Sequence, residues 1–140
     1  MALLDAGTPA PEIEAENLTG GPVKLADYKG KRPVVLVFPP VNVDPARINA
    51  TKSIYQNLRD KVEIIAVQKT VPGKQMAKMF LQQMGVQFPV LLDESGAAFK
   101  AYGVEKPPAA FYINIDGEIV ASGAEGDLDE IEAGVKEHLL

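Results

Sequence analysis

Val34-Val35-Leu36-Val37-Phe38, followed by Pro39-Pro40-Val41-Asn42-Val43-Asp44-Pro45-Ala46-Arg47, decides how this chain is read. The first five residues are continuously apolar and mostly β-branched, the pattern of a strand buried on both faces. The next stretch holds three prolines, so it is a loop that ends in a helix start. Asp44 suits the N-cap, because its carboxylate accepts from the orphan N–H groups of a first turn. Pro45 suits the first helical position, where no N–H is needed. Ile48, Thr51, Ile54, Tyr55 and Leu58 then recur at helical spacing. Val62 to Val67 is a second buried strand. A strand, a helix and a strand joined by a crossover of this length make a parallel, right-handed unit.

Working outward, residues 1–11 carry Gly7, Pro9 and Pro11 and read as an extended lead-in. Glu12 to Glu16 alternates polar and apolar, Gly20-Gly21-Pro22 turns, and Val23-Lys24-Leu25 returns, which predicts an N-terminal β-hairpin. A second helix is predicted from Lys74 to Met84. Met76, Met79, Phe80 and Met84 share one of its faces, read as core packing because methionine fills irregular gaps. Phe88 to Leu92 reads as a strand. Gly96 to Tyr102 reads as a short helix closed by Gly103. Ala109 to Ile115 is a further strand. Asp116-Gly117 is the strongest hairpin signal in the chain, and Glu118 to Ser122 pairs back. Asp127 to Leu140 is a last amphipathic helix with Leu128, Ile131, Val135 and Leu139 inward. The whole predicts an α/β fold with a central mixed β-sheet flanked by helices, in one domain over residues 1–140.

Composition narrows the function. Fourteen basic residues against nineteen acidic give a net charge of −5, which argues against nucleic acid or an anionic membrane as partner. No apolar run reaches the length of a membrane span. Met1 to Asp5 lacks the basic and apolar regions of a signal peptide. A cytoplasmic chain is expected, although an extracytoplasmic one trimmed of its leader would read the same. The chain has no cysteine, which removes disulfides, thiolate nucleophiles and thiolate metal ligands together. The single histidine, His138, stands at the negative pole of the last helical pattern. One histidine leaves no basis for a histidine metal site or a Ser-His-Asp triad, so no metal, cofactor or catalytic residue is expected.

Five words in order carry a resemblance: Gly7-Thr8-Pro9-Ala10-Pro11-Glu12; Leu25-Ala26-Asp27-Tyr28-Lys29-Gly30-Lys31; Phe88-Pro89-Val90-Leu91-Leu92-Asp93; Ala101-Tyr102-Gly103-Val104; and Pro108-Ala109-Ala110-Phe111-Tyr112-Ile113-Asn114 with Asp116-Gly117. Together they resemble the thioredoxin-like fold, and within it the redoxin branch of AhpC/TSA peroxiredoxins and TlpA-like thiol-disulfide oxidoreductases. The resemblance implies a reactive cysteine in the loop after Phe38. In the peroxiredoxin register Pro40 matches, Asp44 replaces a threonine and Arg47 replaces the peroxidatic cysteine. In the Cys-x-x-Cys register the cysteines fall on Val43 and Ala46. Neither register leaves a nucleophile. The resemblance also implies that Pro108 occupies the fold's cis-proline position, with Pro107 before it lacking an N–H donor.

A family site of this kind uses a helix N-terminus to stabilise a thiolate. Here Asp44 brings a fixed carboxylate to that pole. It reads as a cap; a general base would need a raised pKa and a partner. Arg47 reads as paired or solvated rather than as an anion clamp. Three functions compete. The first is a redox-inactive binding or structural module that holds a protein partner, or a second copy, through Pro39, Pro40, Val41, Asn42, Val43, Asp44, Ala46, Arg47, Pro107 and Pro108. The second is an oxidoreductase or peroxiredoxin-type antioxidant, as the resemblance implies. The third is a small-molecule carrier using an apolar pocket between sheet and helices. The missing sulfur puts the first ahead.

Overall fold

A computed structural model describes residues 6–13, 15–21, 23–38, 45–69, 73–105, 109–123 and 128–139, with the backbone alone at 45, 47 and 128–132. Six strands form one mixed sheet. They are β1 (Glu16–Asn17), β2 (Val34–Phe38), β3 (Glu63–Gln68), β4 (Val90–Leu92), β5 (Ala109–Ile113) and β6 (Ile119–Gly123). Their order across the sheet is β1-β4-β3-β2-β5-β6. Strands β2, β3 and β4 run parallel, whereas β5 runs antiparallel to β2, β6 to β5 and β1 to β4. The helices are α1 (Pro45–Leu58), α2 (Lys74–Gln83), α3 (Ala97–Ala101) and α4 (Leu128–His138).

Every residue of β2 is buried, as a continuous apolar run requires, and alternation sends its side chains to two cores. Val34, Leu36 and Phe38 enter the core shared with Phe99, Tyr102, Phe111 and Ile119. Val35 and Val37 meet Ile54 and Leu58 of α1 and Val135 of α4. A third cluster joins Leu81 of α2 to Leu18, Val86, Phe88 and Val90. Helix α1 opens at Pro45, and Ile54 and Leu58 of its apolar stripe are fully buried. Asn114 Oδ1 accepts from the N–H groups of Asp116 and Glu118 at 3.0 and 2.9 Å, and Gly117 takes φ +85°, so the Asp116-Gly117 turn closes the β5–β6 hairpin.

Two expectations fail. Among the described residues the N-terminal β-hairpin does not form. Glu16 and Asn17 pair with Leu92 and Leu91 of β4 instead, and residues 25–27 make a 3₁₀ turn. Asn17 is the reason. Its Oδ1 accepts from the N–H of Thr19 at 3.0 Å, and its Nδ2 donates to the Gly21 carbonyl at 3.0 Å. The chain therefore folds back on its own side chain. Thr19 Oγ1 bonds the Phe88 carbonyl and Leu18 N–H bonds that of Val90, which ties the segment to β4. The second failure concerns α2. Met76 and Met79 are exposed, and the packed face carries Ala77, Leu81 and Met84. Lys74 and Lys78 bridge to Glu16, and Lys74 also to Glu94.

The lead-in runs as an extended segment beside the start of β6. Gly7 N–H bonds the Ile119 carbonyl, Ile119 N–H bonds that of Thr8, and Ala10 N–H bonds that of Gly117. Among the described residues no helix is long and apolar enough to cross a membrane.

Helix α4 packs against Tyr112 of β5 at Gly134. A Cβ there would stand 2.5 Å from Tyr112 Cζ and Oη, and the Tyr112 ring is buried. Gly134→Ala gains about 1 kcal/mol of helix propensity and costs about 1–3 kcal/mol in overpacking. We expect a lower urea midpoint for the variant; an equal or higher midpoint would show that Tyr112 yields freely.

Candidate functional site

The register of β2 on β5 sets the geometry. Phe38, the last residue of β2, stands opposite Ala109, the first of β5. The chain leaves β2 for the 39–44 stretch at the point where it arrives in β5 from the 106–108 stretch. Beneath this point Phe38 is held edge-on by Phe99 and Phe111, with ring centroids 4.9 and 5.6 Å away, and by Tyr102 at 5.5 Å. Tyr102 Oη donates to the Pro11 carbonyl at 2.5 Å. Burial drives the Tyr102 phenol well above its ordinary pKa, and the Glu12 carboxylate adds to the shift. The phenol therefore stays a neutral donor. These contacts fix the end of β2 in an aromatic cluster.

Pro39, Pro40, Val41, Asn42, Val43, Asp44, Pro107 and Pro108 lie outside the described residues. Ala46 is exposed in the first turn of α1, and the backbone of Arg47 lies in the same turn. At the end of β3 next to β2, Gln68 is buried. Lys69 Nζ stands 5.8 Å from the centroid of the Phe99 ring. Asp93, past β4, is buried, and its Oδ2 accepts from Phe99 N–H at 3.0 Å in α3. None of these side chains is a nucleophile toward peroxide or a disulfide.

The opposite end of the sheet gathers charge that the sequence did not reveal. Glu63 opens β3 opposite Val34. The Ile64 N–H donates to its Oε1 at 3.1 Å, and the Tyr55 phenol is electrostatically coupled to it. Arg32 donates to the Arg59 carbonyl at 2.7 Å. Burial raises the Glu63 carboxyl above the usual range, against the pull of the Ile64 amide, Arg32, Tyr55 and Arg59. Burial, then Glu63, raises Tyr55 as well, and pushes Tyr28 up to about 12. A cavity of about 390 Å³ opens nearby, lined by Glu12, Tyr28, Lys29, Arg32, Asn114 and Glu118 among others. Its walls mix these polar groups with apolar ones such as Leu25, Val34 and Ile113. Apart from the near pair Tyr28 and Arg32, the polar residues Glu12, Glu63 and Asn114 come from distant parts of the chain, so periodicity could not have grouped them.

Comparison with known proteins agrees with this architecture. The model of the AhpC/TSA family matches residues 6–122. The chain is 32% identical over 120 residues to the thiol-disulfide oxidoreductase ResA of Bacillus thuringiensis subsp. konkukian, covering 84% of this chain and 68% of that one. It is 30% identical over 125 residues to ResA of Halalkalibacterium halodurans, covering 85% and 68%. Among solved structures, 2-Cys peroxiredoxin of Plasmodium vivax in its reduced form superposes with a TM-score of 0.80 at 22% identity, over 94% of each chain. AhpC of Mycobacterium tuberculosis does so with 0.80 at 19%, over 96% of this chain and 93% of that one. At these identities the two superpositions speak for the fold alone.

The Glu63 cluster gives a pH dependence with a definite sign. A carboxyl with a raised folded pKa binds more protons folded than unfolded, so its share of stability falls as pH rises. That share is complete below the unfolded value of about 4.3 and is lost as pH climbs through the raised folded value. Glu63→Gln keeps an acceptor for Ile64 but cannot ionise. We expect its urea midpoint to gain on the parent chain between pH 4 and pH 7; a difference that is constant across that range would contradict the assignment.

Proposed function

The chain belongs to the AhpC/TSA family, and we propose that it is a cysteine-free member acting as one domain that binds a protein partner, not as a thiol catalyst. The observation that carries this is the absence of any cysteine from a scaffold whose β2–β5 register is intact. Reduction of a peroxide or a disulfide by this fold requires a thiolate that attacks, forms a bond to oxygen or sulfur, and is later regenerated. Asp44, Ala46 and Arg47 supply no such atom. The thiol-disulfide oxidoreductase activity in the name of the ResA relatives depends on that chemistry.

The binding surface we propose is the loop and its neighbours: Pro39, Pro40, Val41, Asn42, Val43, Asp44, Ala46, Arg47, Pro107 and Pro108. Pro39 to Val43 is apolar for a loop at a helix start, and an apolar surface patch is what a contact needs. Prolines lower the cost of ordering it on binding, because they restrict the free loop. A second copy of the chain is the plainest partner. Asp44 then serves as the cap of α1 and not as a base.

Two measurements test the proposal. Purified chain, free of added thiols, is given hydrogen peroxide and, separately, insulin. The expected result is no catalytic turnover of either; repeated turnover well above a boiled control overturns the reading. Sedimentation and pull-down are then run with Val41→Asp and Val43→Asp. We expect self-association or partner capture by the parent chain and its loss in the variants at unchanged circular dichroism. A parent chain that stays monomeric and captures nothing, or variants that bind as well, would remove the loop from the account.

A further inference from the structure

With no cysteine, the four methionines hold all the sulfur in the chain. Two of them stand on α2 in solvent: Met76 is 75% exposed and Met79 53%. Their i, i+3 spacing sets them on one face of the helix. Met84, one residue beyond α2, is half-buried and packs against the cluster of Leu81, Val86 and Phe88. Met1 lies outside the described residues.

We infer that Met76 and Met79 form an oxidative modification site, taking oxygen from hydrogen peroxide ahead of Met84. The Sδ lone pair attacks one peroxide oxygen. The S–O bond forms as the O–O bond breaks, and the departing hydroxide leaves as water after taking the proton of the transferred oxygen. Sulfur loses two electrons and peroxide gains two. The product is a sulfoxide, which a dithiol-dependent methionine sulfoxide reductase returns to the thioether. Thioethers need no deprotonation, so neither a base nor a helix pole is required. A thiolate would outcompete them for peroxide; this chain has none.

Position decides what the mark does. At Met76 and Met79 the polar S=O meets water, and the apolar side of α2 facing solvent becomes polar. The Lys74 and Lys78 bridges to Glu16 and the packing of Ala77 and Leu81 do not involve either thioether. The folded chain therefore tolerates both sulfoxides. At Met84 the same change would put a polar group against Leu81 and Val86, at a cost to folding.

The test is a time course with hydrogen peroxide on the intact chain, read by mass spectrometry of the peptides holding residues 76, 79 and 84. Met76 and Met79 are expected to oxidise first, with Met84 at least about fivefold slower. Urea unfolding sampled when only the first two are oxidised should give an unchanged midpoint. Met76→Leu with Met79→Leu should remove two equivalents from the fast phase of peroxide uptake. Oxidation of Met84 together with or before the other two would overturn the site, as would a midpoint that falls with the first two sulfoxides. This outcome is separable from the function proposed above, because two equivalents consumed once are not turnover.

Discussion

Four residues of β2 pair with β3 on one side and five with β5 on the other, and both faces of the strand are sealed by side chains. That double burial fixes the register, because a slip of one residue would exchange the residues of the two cores. Val35 and Val37 would leave the α1 and α4 side, and Phe38 would leave its aromatic nest. The register in turn sets Phe38 opposite Ala109. Everything at that edge of the sheet follows from this pairing: where the loop begins, where the 106–108 stretch arrives, and which helix opens next.

Family chemistry needs one further thing from such an edge, a sulfur whose anion is favoured by the positive pole of α1. The pole itself comes from the backbone and needs no particular side chain. What distinguishes this chain is the absence of cysteine. The function proposed above gives Asp44 the part of a cap, and a carboxylate is neither a thiol nor a redox centre. The scaffold and the reaction are thus separable: hydrophobic burial maintains the first, and the second depends on one or two atoms. The Glu63 cluster illustrates the same separation at the opposite end of the sheet, where charges and phenols gather with no sulfur involved.

Much of the fold was legible in short-range pattern. Val34 to Phe38 read as a buried strand and Ala109 to Ile115 as a further strand, of which Ala109–Ile113 forms β5. Pro45 marked the first turn of α1. Asp116-Gly117 marked the β5–β6 turn, and Gly103, at φ +73°, closed the turn after α3. What pattern missed was decided by partners distant in the chain. Glu12 to Leu25 looks like a hairpin, yet the edge of β4 takes Glu16 and Asn17, and the Asn17 amide makes the turn that a second strand would have needed. Met76 and Met79 hold helical spacing with Phe80 and Met84, but the packed stripe of α2 runs through Ala77 and Leu81, a small residue and a large one. The location of the candidate site was legible only through family resemblance, because a site defined by a missing side chain leaves no motif of its own.

The central claim is that this chain keeps the scaffold around the family's thiol site and carries no sulfur there. Restoring the sulfur tests it most directly. The double variant Val43→Cys with Ala46→Cys sets two thiols at the Cys-x-x-Cys spacing, at the start of α1. The account predicts that mild oxidation closes an intramolecular disulfide, since residues so spaced at a helix start fall within the Cα separation a disulfide requires, about 4.4–6.8 Å. It predicts further that the reduced double variant, unlike either single one, reduces insulin. Two thiols that remain free under oxidant, or pair only between chains, would contradict it.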